Sequence, residues 1–201
     1  MFNKKDKYNI VIVGATGIVG ESLLDILKTR NFPYDHVFAV ASERSAGASV
    51  KFGKDLLEVS DIKKFDFGNI DFAFFSAGSS VSKEYAPKAA SQGAIVIDNT
   101  SEFRYVDDIP LIVPEVNPED IKLYKNRNII ANPNCSTIQM LVALKPIHDL
   151  FKIKRITVST YQAVSGSGKK GINELIEQTH SFMNQQEIHN KVYPKNIAFN
   201  V

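Results

Sequence analysis

Cysteine is nearly absent from this chain: one residue, Cys135, stands among 201. An internal disulfide is therefore excluded, and a reducing cytoplasmic setting is the expectation. Neither sign of charge is in excess. Lysine and arginine total 24 against 22 aspartates and glutamates, a net of +2. That balance, spread along the chain, argues against nucleic acid or a membrane surface as a partner. No apolar run approaches the ~20 residues of a membrane span. Ile10-Val11-Ile12-Val13 follows a basic start, but it is too short for a signal segment and runs straight into Gly14. Internal repeats and low-complexity tracts are missing. Histidine is scarce, at four residues, and no metal-ligating cluster is read. What remains is an ordinary globular composition, 44% hydrophobic and 23% charged. Its length allows one good core, or one domain and part of another.

The lone cysteine lies in the stretch around which the chain is organised, Ala131-Asn132-Pro133-Asn134-Cys135-Ser136-Thr137. Asn128-Ile129-Ile130-Ala131 leads in and reads as a short buried strand. A helical pattern leads out, with apolar residues at Ile138, Leu141, Val142, Leu144 and Ile147. Asn-Pro-Asn is turn chemistry, and the residue before Pro133 is pushed out of the helical region. Cys135 is thus expected where a strand meets a helix N-terminus. Unpaired N–H groups and the positive end of the helix dipole gather there, which favours a thiolate and an oxyanion formed beside it. The alternative, a small buried hydrophobe, is the usual fate of a lone cysteine. The turn and the polar neighbours weigh against it.

Tyr8 to Val13 is β-branched and apolar, fit for a strand buried on both faces of a parallel sheet. Gly14-Ala15-Thr16-Gly17-Ile18-Val19-Gly20 follows, then an amphipathic helix to about Arg30. Strand, glycine-rich turn and helix make a dinucleotide-binding fingerprint, spaced G-x-x-G-x-x-G rather than G-x-G-x-x-G. Gly14, Thr16, Gly17, Ile18 and Val19 are the expected pyrophosphate contacts, on a helix N-terminus. Val37 to Val40 reads as the second strand. An NAD-specific site places an acid at its end. Here Ser42-Glu43-Arg44-Ser45 stands there, and a guanidinium flanked by two hydroxyls suits a 2′-phosphate better. NADP(H) is the expected cofactor; NAD stays open if the Glu43 carboxylate points inward.

Residues 50–70 read as short strands or edges, and Asp71 to Phe75 as another buried strand. Ser76-Ala77-Gly78-Ser79-Ser80 follows it, with Ser76 and Gly78 expected to face the cofactor. Tyr85 to Gln92 reads as a helix, Ala94 to Ile97 as a strand, and Asp98-Asn99-Thr100-Ser101 lies at its end. Arg104 is close to the same edge; a surface ion pair is its plainer reading. Leu111 to Asn117 reads as a short strand and turn. Polar residues recur at strand C-termini, where a doubly wound parallel α/β sheet binds its ligands. Past the cysteine helix, Arg155 to Val164 alternates like a half-exposed strand of a second, antiparallel or mixed sheet. Ser165-Gly166-Ser167-Gly168 reads as a flexible loop that could lie over a cofactor ring, and Lys169 to Asn184 as a helix. The expected domains are 1–133, binding the cofactor, and 134–201, the first part of a substrate domain. Ending on the apolar Ile197 to Val201 reads as a cut chain.

Taken together, these stretches resemble the aspartate-semialdehyde dehydrogenase family, its bacterial branch in particular. The pieces are Gly14 to Gly20, Ser42 to Gly47, Ser76 to Ser80, Asp98 to Arg104, Val113 to Asn117, Asn132 to Thr137 and Ser159 to Gly166, in the family's order. The resemblance implies a Rossmann-like cofactor domain followed by the start of an α+β substrate and dimerisation domain, in a homodimer. It also implies NADPH-dependent reduction of aspartyl-4-phosphate to aspartate 4-semialdehyde with release of phosphate, a step supplying lysine, threonine, methionine and diaminopimelate. Cys135 matches the family's nucleophile. Asn134 matches its substrate-positioning neighbour, and Gln162 the amide that orients the bound intermediate. Arg104 matches the phosphate-binding arginine, and Ser165 and Gly166 would lie near the nicotinamide.

In the family a general-base histidine and a carboxylate-binding arginine come from sequence further downstream. His148 cannot replace that histidine: it lies 13 residues beyond Cys135 on the same expected helix, on the order of 20 Å away. His36 reads as a surface residue, and His180 and His189 match no catalytic motif. The chain is therefore expected to bind NADP but to turn over poorly. Two other readings are an NADP-binding module without catalysis and an N-acetyl-γ-glutamyl-phosphate reductase, whose motifs around the cysteine differ.

Overall fold

The computed structural model describes residues 4–200. The chain divides between Arg155 and Ile156 into two compact units. The first holds a seven-stranded sheet: β1 (Tyr8–Val13), β2 (Tyr34–Ala41), β3 (Ser49–Phe52), β4 (Asp55–Asp61), β5 (Phe72–Phe75), β6 (Ile95–Asp98) and β7 (Ile129–Ala131), in the order β3-β4-β2-β1-β5-β6-β7. All neighbours are parallel except the β3–β4 hairpin at one edge. The chain moves outward from β1 to β2 and β4, then returns across β1 to β5, β6 and β7. This is the doubly wound α/β arrangement expected from the sequence, and its direction reverses between β1 and β5.

The alternation of β1 explains why helices cover both faces. Ile10 and Ile12 enter one core with Leu24 and Leu27 of α1 (Ile18–Thr29). Val11 and Val13 enter the other with Ala86, Ala89 and Ala90 of α2 (Ser79–Ser91). Successive strand side chains point to opposite faces, so a run without polar residues must be buried on both. Ile10 to Val13 are fully buried, and each such side chain contributes ~1.5–3 kcal/mol. Helix α3 (Cys135–Phe151) follows β7 directly, runs on through Pro146, and ends at Lys152 in the left-handed region, φ 54°.

The second unit carries a short 3-10 turn over Val164–Ser167 and helix α4 (Gly168–Met183). The strand expected over residues 155–164 is absent: residues 152–163 have no regular structure. Ile156, Val158 and Tyr161 are exposed. A strand needs a partner edge, and no second sheet among the described residues offers one. Beyond α4, the chain is fastened back to it by two buried polar side chains. Glu174 accepts hydrogen bonds from the backbone N–H groups of Lys191, Val192 and Tyr193. Gln178 accepts from those of Ile197 and Ala198.

Candidate active site

The glycine turn sits at the sheet's reversal point. Gly14 continues β1 with φ +92°, and a Cβ there would stand 2.9 Å from the Ser76 carbonyl carbon just past β5. Gly17 closes the turn by donating its N–H to the Gly14 carbonyl at 2.9 Å. Gly20 has no room for a side chain against that same carbonyl. Gly17 precedes α1 and contributes no capping side chain, so the helix's first turn is uncapped. Beside it, Ser76 Oγ is buried without a partner, and Gly78 with φ +96° leads into α2. A positive-ended, side-chain-free cradle with an orphaned hydroxyl fits a dinucleotide. Thr16, Ile18 and Val19 lie in the same turn and helix start.

Past β2, Ser42, Glu43, Arg44 and Ser45 form a 3-10 turn, closed by the Ser45 N–H donating to the Ser42 carbonyl at 2.8 Å. Arg44 is exposed and has no ion-pair partner among the described residues. The Glu43 carboxylate instead meets Lys63 Nζ at 3.0 Å.

A second group gathers at the C-terminal ends of β6 and β7. Asn99 and Asn132 prolong the ladders there, donating their backbone N–H groups to the Phe75 and Asp98 carbonyls at 2.9 and 2.8 Å. Their side chains meet, with Asn132 Nδ2 donating to Asn99 Oδ1 at 2.9 Å. Arg104 follows the buried Phe103 in sequence. Its guanidinium donates through Nε to the Asn132 carbonyl at 3.0 Å and through Nη2 to the Asn99 carbonyl at 3.4 Å. Among the described residues no carboxylate forms an ion pair with it, so the surface ion pair is not what forms there.

Beneath this edge lies Asp98, fully buried, taking hydrogen bonds from Ser82 Oγ at 2.6 Å and Thr100 Oγ1 at 2.7 Å. Burial pushes its carboxyl above the ordinary value near 3.8, while those hydroxyls and the Arg104 charge pull the other way. Asp98, Asn99 and Asn132 stand within the motif stretches quoted from the sequence, but sequence reasoning gave them no individual role in the site. Their common position just past apolar strands was the available signal.

Cys135 is the first residue of α3 and is exposed. Asn134 caps the helix: its Oδ1 accepts from the Ser136 and Thr137 N–H groups at 3.0 and 3.3 Å. The sequence led us to expect several free N–H groups at this end. The cap consumes two of them, because an Asn at this position bonds the helix it starts. Ile138 already bonds the Asn134 carbonyl, leaving the Cys135 N–H itself for an incoming oxygen. His148 lies on the same helix, as expected.

In the second unit, Gln162 and Gly166 are in direct contact: Gln162 Nε2 fills the space that a Cβ on Gly166 would need. Ser165 lies in the adjoining 3-10 turn. Gln162, Ser165 and Gly166 thus form one cluster within their unit.

The comparisons with known proteins bear on these groups together. Residues 9–124 match the family model "Semialdehyde dehydrogenase, NAD binding domain", and residues 144–201 match "Semialdehyde dehydrogenase, dimerisation domain". The chain is 55% identical to the aspartate-semialdehyde dehydrogenase of Shewanella violacea over 97% of its own length and 58% of the relative's. It is similar in structure to aspartate semialdehyde dehydrogenase II of Vibrio cholerae complexed with ASA, with a TM-score of 0.94 and 52% identity, covering 98% of this chain and 58% of that one. A more distant likeness is to the Candida albicans aspartate semialdehyde dehydrogenase with NADP, at TM-score 0.62 and 26% identity, over 73% of this chain and 48% of that one. The chain spans about 58% of the length of the curated relatives it matches.

Proposed function

This chain belongs to the semialdehyde dehydrogenase family, beside the bacterial aspartate-semialdehyde dehydrogenases, and from that premise we propose that it serves the NADPH-dependent reduction of aspartyl-4-phosphate to aspartate 4-semialdehyde. The observation that carries the proposal is the exposed Cys135 opening α3, three residues beyond the Asn132 carbonyl that anchors Arg104.

The thiolate of Cys135 attacks the acyl carbon of the substrate. A carbon–sulfur bond forms as the carbon–oxygen bond to phosphate breaks, and a thioester results. Arg104, fixed by two backbone carbonyls and in no ion pair among the described residues, offers its remaining N–H groups to the phosphate before and after it leaves. Asn134 holds the start of α3 so that the Cys135 N–H and the helix dipole face the developing oxyanion. The Gln162 amide orients the acyl group. NADPH, when bound, supplies the hydride that takes the thioester to the aldehyde and returns the thiolate.

Gly14, Thr16, Gly17, Ile18 and Val19 hold the pyrophosphate of that cofactor. Ser42, Arg44 and Ser45 hold its 2′-phosphate. Ser76 and Gly78 line the approach to the nicotinamide, and Ser165 and Gly166 adjoin its ring. The engagement of Glu43 by Lys63 supports NADP over NAD. The match to a dimerisation domain supports a homodimer. The product's place is in the synthesis of lysine, threonine, methionine and diaminopimelate, in the cytoplasm.

The test is phosphate-dependent NADPH formation from aspartate semialdehyde and NADP, followed under single-turnover conditions beside Cys135→Ser. Formation lost on substitution, with NADP still bound, supports the proposal. Equal formation by both proteins contradicts it. NADP binding with no NADPH from either protein would confine the chain to cofactor binding.

A further inference from the structure

Where the second strand of a dinucleotide fold ends, an acid selects NAD by taking the ribose hydroxyls. This chain has such an acid, Glu43, one residue before the arginine proposed for a 2′-phosphate. An unengaged Glu43 would compete with that role by repelling the phosphate and welcoming the ribose. The neighbouring strand supplies what prevents this. The ends of β2 and β4 are in parallel register, Ala41 opposite Asp61, and the Ile62 N–H donates to the Ala41 carbonyl at 2.9 Å. The next residue, Lys63, is set by its own N–H donating to Asp61 Oδ1 at 3.1 Å. Its side chain then crosses to the Ser42–Ser45 turn, and Nζ bonds Glu43 Oε2 at 3.0 Å.

We propose that Lys63 is a specificity-determining residue: it holds the Glu43 carboxylate away from the ribose and leaves Arg44 to meet a 2′-phosphate. The inference rests on the NADP reading of the Ser42–Ser45 turn and extends it to a residue from another strand. Lys63 and Glu43 are 64% and 72% exposed, so the pair adds little to stability. Its effect is on where one negative charge lies. The hydrogen bond to Glu43 is also the first cause raising the Lys63 amine above its ordinary value of 10.5, so the amine is charged at neutral pH.

The experiment is equilibrium binding of NADP and of NAD to the chain, to Lys63→Met, to Glu43→Gln and to the double variant. Both substitutions lie on exposed side chains, so folding is not at issue. Wild type is expected to prefer NADP. Lys63→Met releases Glu43 and should reduce the NADP-to-NAD affinity ratio about three- to five-fold, the scale of one exposed charge. Glu43→Gln in the same chain should restore the wild-type ratio, because the released acid causes the loss. An unchanged ratio in Lys63→Met overturns the proposal. So does a loss that persists in the double variant, since Lys63 would then touch the phosphate itself. A wild type without NADP preference instead overturns the cofactor reading beneath it.

Discussion

Arg104 Nε donates to the backbone carbonyl of Asn132 at 3.0 Å, tying a loop after β6 to the turn that delivers Cys135. The bond makes the candidate phosphate site and the candidate nucleophile parts of one rigid edge. A lysine cannot reproduce it, having neither the planar fork nor the Nε donor. Arg104→Lys should therefore weaken phosphate protection of Cys135 against iodoacetamide by roughly ten-fold, as expected for loss of charge-assisted bonds worth ~1.5–3 kcal/mol. NADP binding should stay within about two-fold, since Arg104 is separate from the glycine turn and the Ser42–Ser45 turn. Equal phosphate protection in both proteins would remove Arg104 from the site.

The Asn134 cap sets the second expectation. Asn134→Ala leaves the Ser136 and Thr137 N–H groups without their acceptor and should lower unfolding stability by about 1 kcal/mol in urea. Asn134→Ser, which keeps an oxygen at the cap, should recover most of it. An alanine variant as stable as wild type would mean the cap does not fix the helix start.

Asp98 makes stability depend on pH in a direction opposite to that of a salt-bridged carboxylate. Burial raises its folded-state value above 3.8, so the folded chain holds the proton more tightly than the unfolded chain does. Its contribution is then complete below the unfolded value and is lost as pH rises through the folded one. Asp98→Asn has no such proton. The stability of wild type relative to Asp98→Asn should fall as pH rises above the ordinary carboxyl value near 3.8. A difference that grows with pH would mean that the hydroxyls and Arg104 outweigh burial.

Gly20 is restricted by distance, not by dihedral angle. Its backbone is ordinary helix, but a side chain would strike the Gly14 carbonyl. Gly20→Ala should cost ~1–3 kcal/mol by overpacking and also weaken NADP binding by displacing the glycine turn. Thermal melts with and without NADP would show both effects. A variant as stable as wild type, despite alanine's better helix propensity, would contradict the close approach.

The parts of this molecule that could be read in the sequence are those whose signal is local. The apolar β1 followed by Gly14 to Gly20 and the helical period after it specify strand, turn and helix in order, and the structure has them. Ile129 to Ala131, the Asn-Pro-Asn turn and the pattern after Cys135 placed the cysteine at a helix start. Where partners decide, the sequence says less. Residues 155–164 alternate like a strand, yet a strand exists only against a neighbour, and the described residues provide none. Helix α2 begins at Ser79, six residues earlier than its apolar pattern, because Gly78 at φ +96° turns the chain into it. Asp98 and Asn132 are ordinary polar letters in the sequence; only the parallel pairing of β6 with β7 brings Asn99, Asn132 and Arg104 together. The Lys63–Glu43 contact spans 20 residues and follows from β2 lying beside β4, which no local pattern states.

The central claim is that Cys135 is the nucleophile toward an acyl phosphate. Its most direct test is intact-mass and peptide-mapping spectrometry after brief exposure to aspartyl-4-phosphate without NADPH, for wild type and Cys135→Ser. The account predicts a single aspartyl adduct on Cys135, removed by hydroxylamine as a thioester would be and absent from the serine variant. Wild-type protein that binds NADP but carries no adduct on Cys135, or the same adducts as the serine variant, would contradict it.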